Sequence, residues 1–237
     1  NTEPKPTAYD GANFKWWSYS PTQISSDYQR TPAGTAEKSL YAVYEKSVTA
    51  TFYYHTGDNL TNTQTSTTAS GTKNYVSKSG GVNTYNGNIS IPAAVTGSST
   101  YLTTAYKGVA NAVNSSTSVT PTTANTKYYA FYECSLTYYF YNGSAHTSSS
   151  TTRRARSNGT NYVCTVDSVP TPSAYDGAAF KWWSYDANQA GSDYKREPNA
   201  TQVQTLYAMY QKSITATFNY YNGTAAATAT ASATRSY

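Results

Sequence analysis

Residues 39–52 read SLYAVYEKSVTATF, and the pattern returns at 127–140 (KYYAFYECSLTYYF) and at 205–218 (TLYAMYQKSITATF). Each copy holds two short runs suited to strands, joined by a polar step. The first run, Leu40-Tyr41-Ala42-Val43-Tyr44, is aromatic and β-branched enough to favour a pleated, half-buried surface. The second run alternates. Val48, Ala50, Phe52 and Tyr54 share one face, and Ser47, Thr49, Thr51 and Tyr53 share the other. The third copy keeps this with Ile214, Ala216, Phe218 and Tyr220, and the middle copy with Leu136, Tyr138 and Phe140. Recurrence at a long period identifies a modular chain.

Residues 172–185 (PSAYDGAAFKWWSY) repeat residues 6–19 (PTAYDGANFKWWSY), an offset of 166 from Tyr9 to Tyr175. The match runs on without a gap through Pro32 and Pro198 into the Leu-Tyr-Ala segments. Tyr44 to Tyr132 spans 88 residues and Tyr132 to Tyr210 spans 78, so a middle unit lies between. Its Asn74-Tyr75-Val76 matches Asn161-Tyr162-Val163. Ala105-Tyr106-Lys107-Gly108 stands where Ala8-Tyr9-Asp10-Gly11 would, with no Trp pair after it. Residues 82–100 read as an insertion with its own Asn86-Gly87 turn.

The units are then an incomplete one at 1–45, a degenerate one with the insertion at 46–133, a complete one at 134–211, and the opening strand of a further unit at 212–237. Short junctions without a Gly/Ser linker predict an extended rod of small domains. Asn142-Gly143 and Asn222-Gly223 follow the alternating runs where hairpin turns belong, and Asn158-Gly159 is a further candidate. Ser/Thr/Ala tracts at 61–70, 144–152 and 225–234 read as polar hairpin arms or loops, their edges kept soluble by hydroxyls.

Composition narrows the class. The 237 residues include 26 Tyr and 4 Trp, too aromatic for a disordered chain, and Thr and Tyr favour strands over helices. The fold class expected is mainly β, or β-rich α+β. A net charge of +5 and a pI near 9.0 come from scattered basic residues, not the basic stripe of a nucleic-acid module. No run of about 20 apolar residues is present to span a membrane. Sparse charge with abundant Thr, Ser, Asn and Tyr suits a secreted, extracellular surface protein.

These motifs resemble the Listeria–Bacteroides repeat, the B-repeat of internalin-type surface proteins. Gly11, Phe14 and Trp17 fill that family's Gly-x-x-Phe-x-Gly-Trp-Tyr motif, as do Gly177, Phe180 and Trp183. Leu40, Tyr41, Ala42 and Tyr44, with Leu206, Tyr207, Ala208 and Tyr210, fill its Thr-Leu-Tyr-Ala-x-Trp motif. Trp16 and Trp182 stand in place of the family's Gly, Ser18 and Ser184 in place of the next aromatic, and Tyr in place of the last Trp. The resemblance implies small β-grasp-like domains in tandem, used as stalks and adhesive spacers and not as enzymes.

Three groups of side chains invite a role. In an uninterrupted strand Phe14 and Trp16 point one way and Lys15 and Trp17 the other. One Trp of each pair, Trp16/Trp17 and Trp182/Trp183, is therefore expected at a unit junction or exposed as a ligand or interface aromatic. Cys134 and Cys164 face each other if their strands pair as a hairpin, which predicts a disulfide in a secreted protein. Arg153, Arg154 and Arg156 in a Ser/Thr-rich loop form a candidate basic patch. Neither the two cysteines nor His55 and His146 have metal-ligand spacing, and no catalytic or cofactor motif occurs.

The leading expectation is an extracellular stalk, adhesin or fibre segment whose partners are neighbouring units or other copies of the chain. A carbohydrate- or receptor-binding module acting on glycans or wall polymers is the second reading, and a phage virion or tail-fibre component the third. Residues 1–45 carry Phe14, Trp17 and Tyr41 without a covering strand, and 212–237 carry Ile214, Phe218 and Tyr220 without a partner sheet. The two are expected to be complementary, within a longer run of units or between chains.

Overall fold

The computed structural model of the chain describes residues 3–34, 36–55, 64–97, 106–113, 126–199 and 204–237. Residues 61–63 of the first polar tract, 98–100 of the insertion and Ala105 lie outside the described residues. Within them the fold is mainly β, one mixed sheet of twelve strands with one short α-helix and three single-turn 3-10 helices. The strands are β1 (Asn13–Ser18), β2 (Gln29–Arg30), β3 (Tyr41–His55), β4 (Gln64–Lys78), β5 (Gly81–Asn86), β6 (Tyr106–Ala110), β7 (Lys127–Tyr141), β8 (His146–Ser157), β9 (Tyr162–Val166), β10 (Ala179–Ser184), β11 (Thr205–Tyr221) and β12 (Ala226–Ser236), with helix α1 (Ala93–Thr96) between β5 and β6. No helix among the described residues is long and apolar enough to cross a membrane.

Each repeated segment is one continuous strand, not two runs: β3, β7 and β11 have 15, 15 and 17 residues. The polar step does not break the ladder, because Glu45, Lys46 and Ser47 stay paired with Asn74, Lys73 and Thr72 of β4. A polar side chain on a strand turns to the solvated face without cost to the backbone bonds. The unit edges drawn at 45/46, 133/134 and 211/212 therefore fall inside strands.

Each of β3, β7 and β11 has two working halves. Its first half pairs antiparallel with a short strand: β3 with β1, β7 with β6, β11 with β10. Its far half forms a hairpin with the polar arm that follows, β4, β8 or β12. The far half of β3 also runs parallel to the start of β7, Thr51–Tyr53 against Lys127–Tyr129. The far half of β7 does the same with β11, Thr137–Tyr139 against Thr205–Tyr207. In the second joint Thr205 meets Thr137, ten positions after Lys127 where β7 begins. In the first, Lys127 meets Thr51, twelve positions after its counterpart Ser39. Both staggers are even, so the apolar face stays the same in each joint.

The predicted alternation holds in the core. Val48, Ala50 and Phe52 are buried with Ile89, Val95, Val109 and Tyr128, and Leu136 and Tyr138 are buried with Trp183 and Leu206. Asn142, Asn158 and Asn222 do make turns. Each side-chain oxygen accepts from the backbone N–H groups two and three residues on, and the following glycine has φ of 96–100°. Asn86-Gly87 does not. The turn there is at Gly80 (φ 77°), while Gly87 lies so close to β4 that an added Cβ would sit 2.6 Å from the Thr72 carbonyl oxygen.

The middle unit departs from the expected alignment. Tyr106 pairs with Tyr132, as Phe14 does with Tyr44 and Phe180 with Tyr210. Lys107 therefore corresponds to Lys15 and Lys181, and Gly108-Val109 occupy the places of the Trp pair. The likeness of Tyr106-Lys107-Gly108 to Tyr9-Asp10-Gly11 misled because three residues carry less information than the strand register. Val109 is buried in one core cluster with Ile89 and Val95 of the insertion and with Tyr162.

Candidate functional site

The Trp-bearing strands are bent by a repeated β-bulge. Register shifts between Phe14 and Trp16, between Tyr106 and Gly108, and between Phe180 and Trp182, leaving the lysine between them unpaired in the ladder. Directly opposed residues share a face. Phe14 opposes Tyr44 and Trp17 opposes Ala42, so Phe14 and Trp17 lie together and Trp16 lies with Val43 on the other face. Simple alternation is thus corrected by one residue. Phe14 and Trp17 rings stand 5.3 Å apart, and Phe180 and Trp183 rings 5.2 Å.

Trp183 is the centre of the joint between the third repeat strand and the hairpin before it. Its ring lies 4.7 Å from Tyr138 and 6.4 Å from Phe140, and it is 6% exposed. Its counterpart Trp17 is only half-buried and donates its indole N–H to Glu3 Oε1 at 2.6 Å. Trp16 and Trp182 are also half-buried. Beside β10 runs a groove of about 620 Å³, lined by Trp182, Trp183, Lys181, Lys195, Arg196 and Val166. Its lining combines aromatic side chains with basic ones, and Lys195 there is paired with Glu197 at 3.3 Å.

The three arginines do not form a patch. They lie on β8, so Arg153 points opposite to Arg154 and Arg156. Arg153 is 1% exposed and donates to the Pro198 carbonyl and the Cys134 sulfur, each at 3.4 Å. Burial pushes its guanidinium down to about 10. Arg154 pairs with Asp167 and with Glu133 at 3.0 Å, and Arg156 pairs with Glu133 at 2.7 Å while stacking on Phe131. The charges of Arg154 and Arg156 are paired with Glu133 and Asp167.

The expected disulfide is not formed: Cys134 and Cys164 are not joined to each other. Cys134 lies on β7 opposite Arg153, and Cys164 lies on β9 opposite Ala155. Strand β8 runs between them. Two inter-strand steps amount to about 9.5 Å, beyond disulfide reach. The hairpin inferred from sequence skipped this strand, because the Ser/Thr tract that forms it has little hydrophobic signature. Burial pushes the thiols up to about 11 for Cys134 and about 12 for Cys164.

One recurrent cluster escaped the sequence reading. In Tyr9-Asp10-Gly11-Ala12 and Tyr175-Asp176-Gly177-Ala178, both central residues have positive φ, 50° and 70° in the first and 49° and 69° in the second, a type I′ turn. The exposed Asp10 carboxylate accepts from Lys46 Nζ at 2.8 Å and from the Tyr75 hydroxyl. Asp176 accepts from Lys212 Nζ at 2.6 Å and from the Tyr237 hydroxyl at 2.7 Å. The lysine ammoniums, then the tyrosine hydroxyls, hold both carboxyls below the ordinary range, and both lysines are raised in turn. Amide formation between such a pair needs a neutral amine and a protonated acid, the opposite of these directions. The cluster is an ion-paired clasp. The equal Asp-to-Lys spacing of 36 in both copies was the available signal.

No protein family, curated protein or solved structure compared with this chain matches it.

Proposed function

We propose that the chain is an extracellular structural repeat segment of the stalk, adhesin or fibre kind, with no catalysis of its own. In this reading small β-grasp-like units follow one another as an extended rod and hold something away from a surface. The observation that carries it is the joint made twice, in which the far half of one long strand runs parallel to the start of the next. Such joints are sheet hydrogen bonds plus aromatic packing, Phe52 on Tyr128 at 5.6 Å and Tyr139 on Tyr207 at 5.3 Å, and sheet bonds resist bending more than a linker does. The likeness to the Listeria–Bacteroides repeat and the secreted-type composition support the same reading. Small-angle scattering tests it: the expected radius of gyration is well above the value of about 18 Å for a single compact domain of this length, and a value near that figure refutes the rod.

The groove beside Trp182 favours a second reading, a carbohydrate- or receptor-binding module, since a lining of aromatic and polar side chains suits a sugar ring. Titration with glycans and anionic wall polymers decides. Specific binding lost in Trp182→Ala and Trp16→Ala supports the module, and no binding to any of them rejects it.

A further inference from the structure

The β11–β12 hairpin carries a face that its two counterparts keep covered. On β7, Leu136 and Tyr138 lie under Trp183 and Leu206, with Leu206 0% exposed. On β3, Val48, Ala50 and Phe52 are closed over by Ile89, Val95, Val109 and Tyr128. The same positions of β11 are Ile214, Ala216 and Phe218, followed by Tyr220. Ile214 is 41%, Phe218 54% and Tyr220 50% exposed. The edge of β11 beyond Gln211, opposite β12, is also without a partner strand among the described residues. At the other end, Trp17 and Leu40 are the counterparts of Trp183 and Leu206, and both are only partly buried. No hairpin among the described residues plays on them the part that β7–β8 plays on Trp183 and Leu206.

We propose that the β11–β12 face of one copy of this chain docks head to tail on the Phe14, Trp17 and Leu40 face of a second copy, repeating the β7–β11 joint between molecules. The occupant follows from continuity with an interface already made inside the chain. In that joint the Thr137 N–H donates to the Gln204 carbonyl at 2.9 Å. Its counterpart Thr215 would donate to Lys38 of the second copy, with residues 215–217 running parallel to 39–41. Tyr210 takes the Tyr141 N–H on its hydroxyl, and Tyr132 takes that of His55; Tyr44 of the second copy is placed to take one from β11. An open strand edge beside an apolar face is what strand addition requires. The two surfaces differ, so the contact is heterologous and builds open chains rather than closed dimers.

The proposal rests on the serial-unit reading above, and the test separates the two. Light scattering and sedimentation of the whole chain over rising concentration are expected to show mass growing without a fixed endpoint. Phe218→Asp and Leu40→Asp each stop growth when alone, and an equimolar mixture of the two gives dimers and nothing larger, since only one joint survives. Thr215→Pro removes the edge N–H at a position facing away from β12, and is expected to weaken association while circular dichroism stays unchanged. A strictly monomeric chain overturns the docking, as does a dimer lost in Phe218→Asp and kept in Leu40→Asp. If that monomer is extended by scattering, the serial reading stands without the docking; if it is compact, both fall.

Discussion

The hydroxyl of Tyr210, near the middle of β11, accepts the backbone N–H of Tyr141 at the end of β7 across 2.7 Å. This bond fastens the β7–β8 hairpin to the long strand β11. Tyr210 is 3% exposed, so Tyr210→Phe leaves a backbone donor short of a partner. The expected loss is about 1–2 kcal/mol, read as a lower urea midpoint. An unchanged midpoint would show that water replaces the bond freely.

Trp183 and Trp17 are counterparts in different surroundings, the first packed under the β7–β8 hairpin and the second half-buried. Trp183→Ala is expected to cost about 3–5 kcal/mol, as for a buried large aromatic, and Trp17→Ala distinctly less in the free chain. Equal losses in calorimetry or denaturant unfolding would contradict the difference in cover.

The clasps at Asp10 and Asp176 make stability depend on pH at both extremes. Each carboxyl has a folded pKa below its ordinary 3.8. Its contribution is therefore complete above that value and is lost as pH falls through the lower folded one. Lys46 and Lys212 lie above their ordinary 10.5, so their contribution is complete below it and fades at higher pH. Asp176→Asn should flatten the acid limb of an unfolding titration below about pH 4. An acid limb identical to the parent's rules the clasp out as a stabilising contact.

The thiols should behave as buried and unjoined. With Cys134 pushed up to about 11 and Cys164 to about 12 by burial, thiolate is scarce near neutrality and alkylation of the folded chain is slow. Unfolding without reductant should expose two alkylatable cysteines. A non-reduced peptide holding Cys134 joined to Cys164 would overturn the strand order of β7, β8 and β9.

Gly87 is held by space rather than by turn geometry. Gly87→Ala forces a methyl group against the Thr72 carbonyl, 2.6 Å away, and should cost about 1–3 kcal/mol. Gly34→Ala, where an added Cβ meets nothing within 4 Å, should stay within about 0.5 kcal/mol. Similar effects at both positions would mean that β5 can draw back from β4.

Local chemistry made much of this protein readable from the chain alone. Period-two alternation marks Val48, Ala50 and Phe52 as one apolar face of a strand, and Asn142-Gly143 makes its own turn through the asparagine side chain and a positive φ. The repeat itself is a property of the sequence and placed three equivalent strand-forming segments, read there as two short runs each. Pairing between distant segments could not be read this way. Whether Glu45-Lys46-Ser47 interrupts a strand depends on β4 lying alongside, and whether Cys134 can reach Cys164 depends on β8 coming between them. The bulge at Lys15 and the place of Tyr106 opposite Tyr132 appear only once both strands are paired. The joints were decided furthest from the local pattern, because an even change of register keeps every apolar face inward. Phe52 meeting Tyr128 twelve positions along, and Tyr138 meeting Leu206 ten positions along, are choices made by packing.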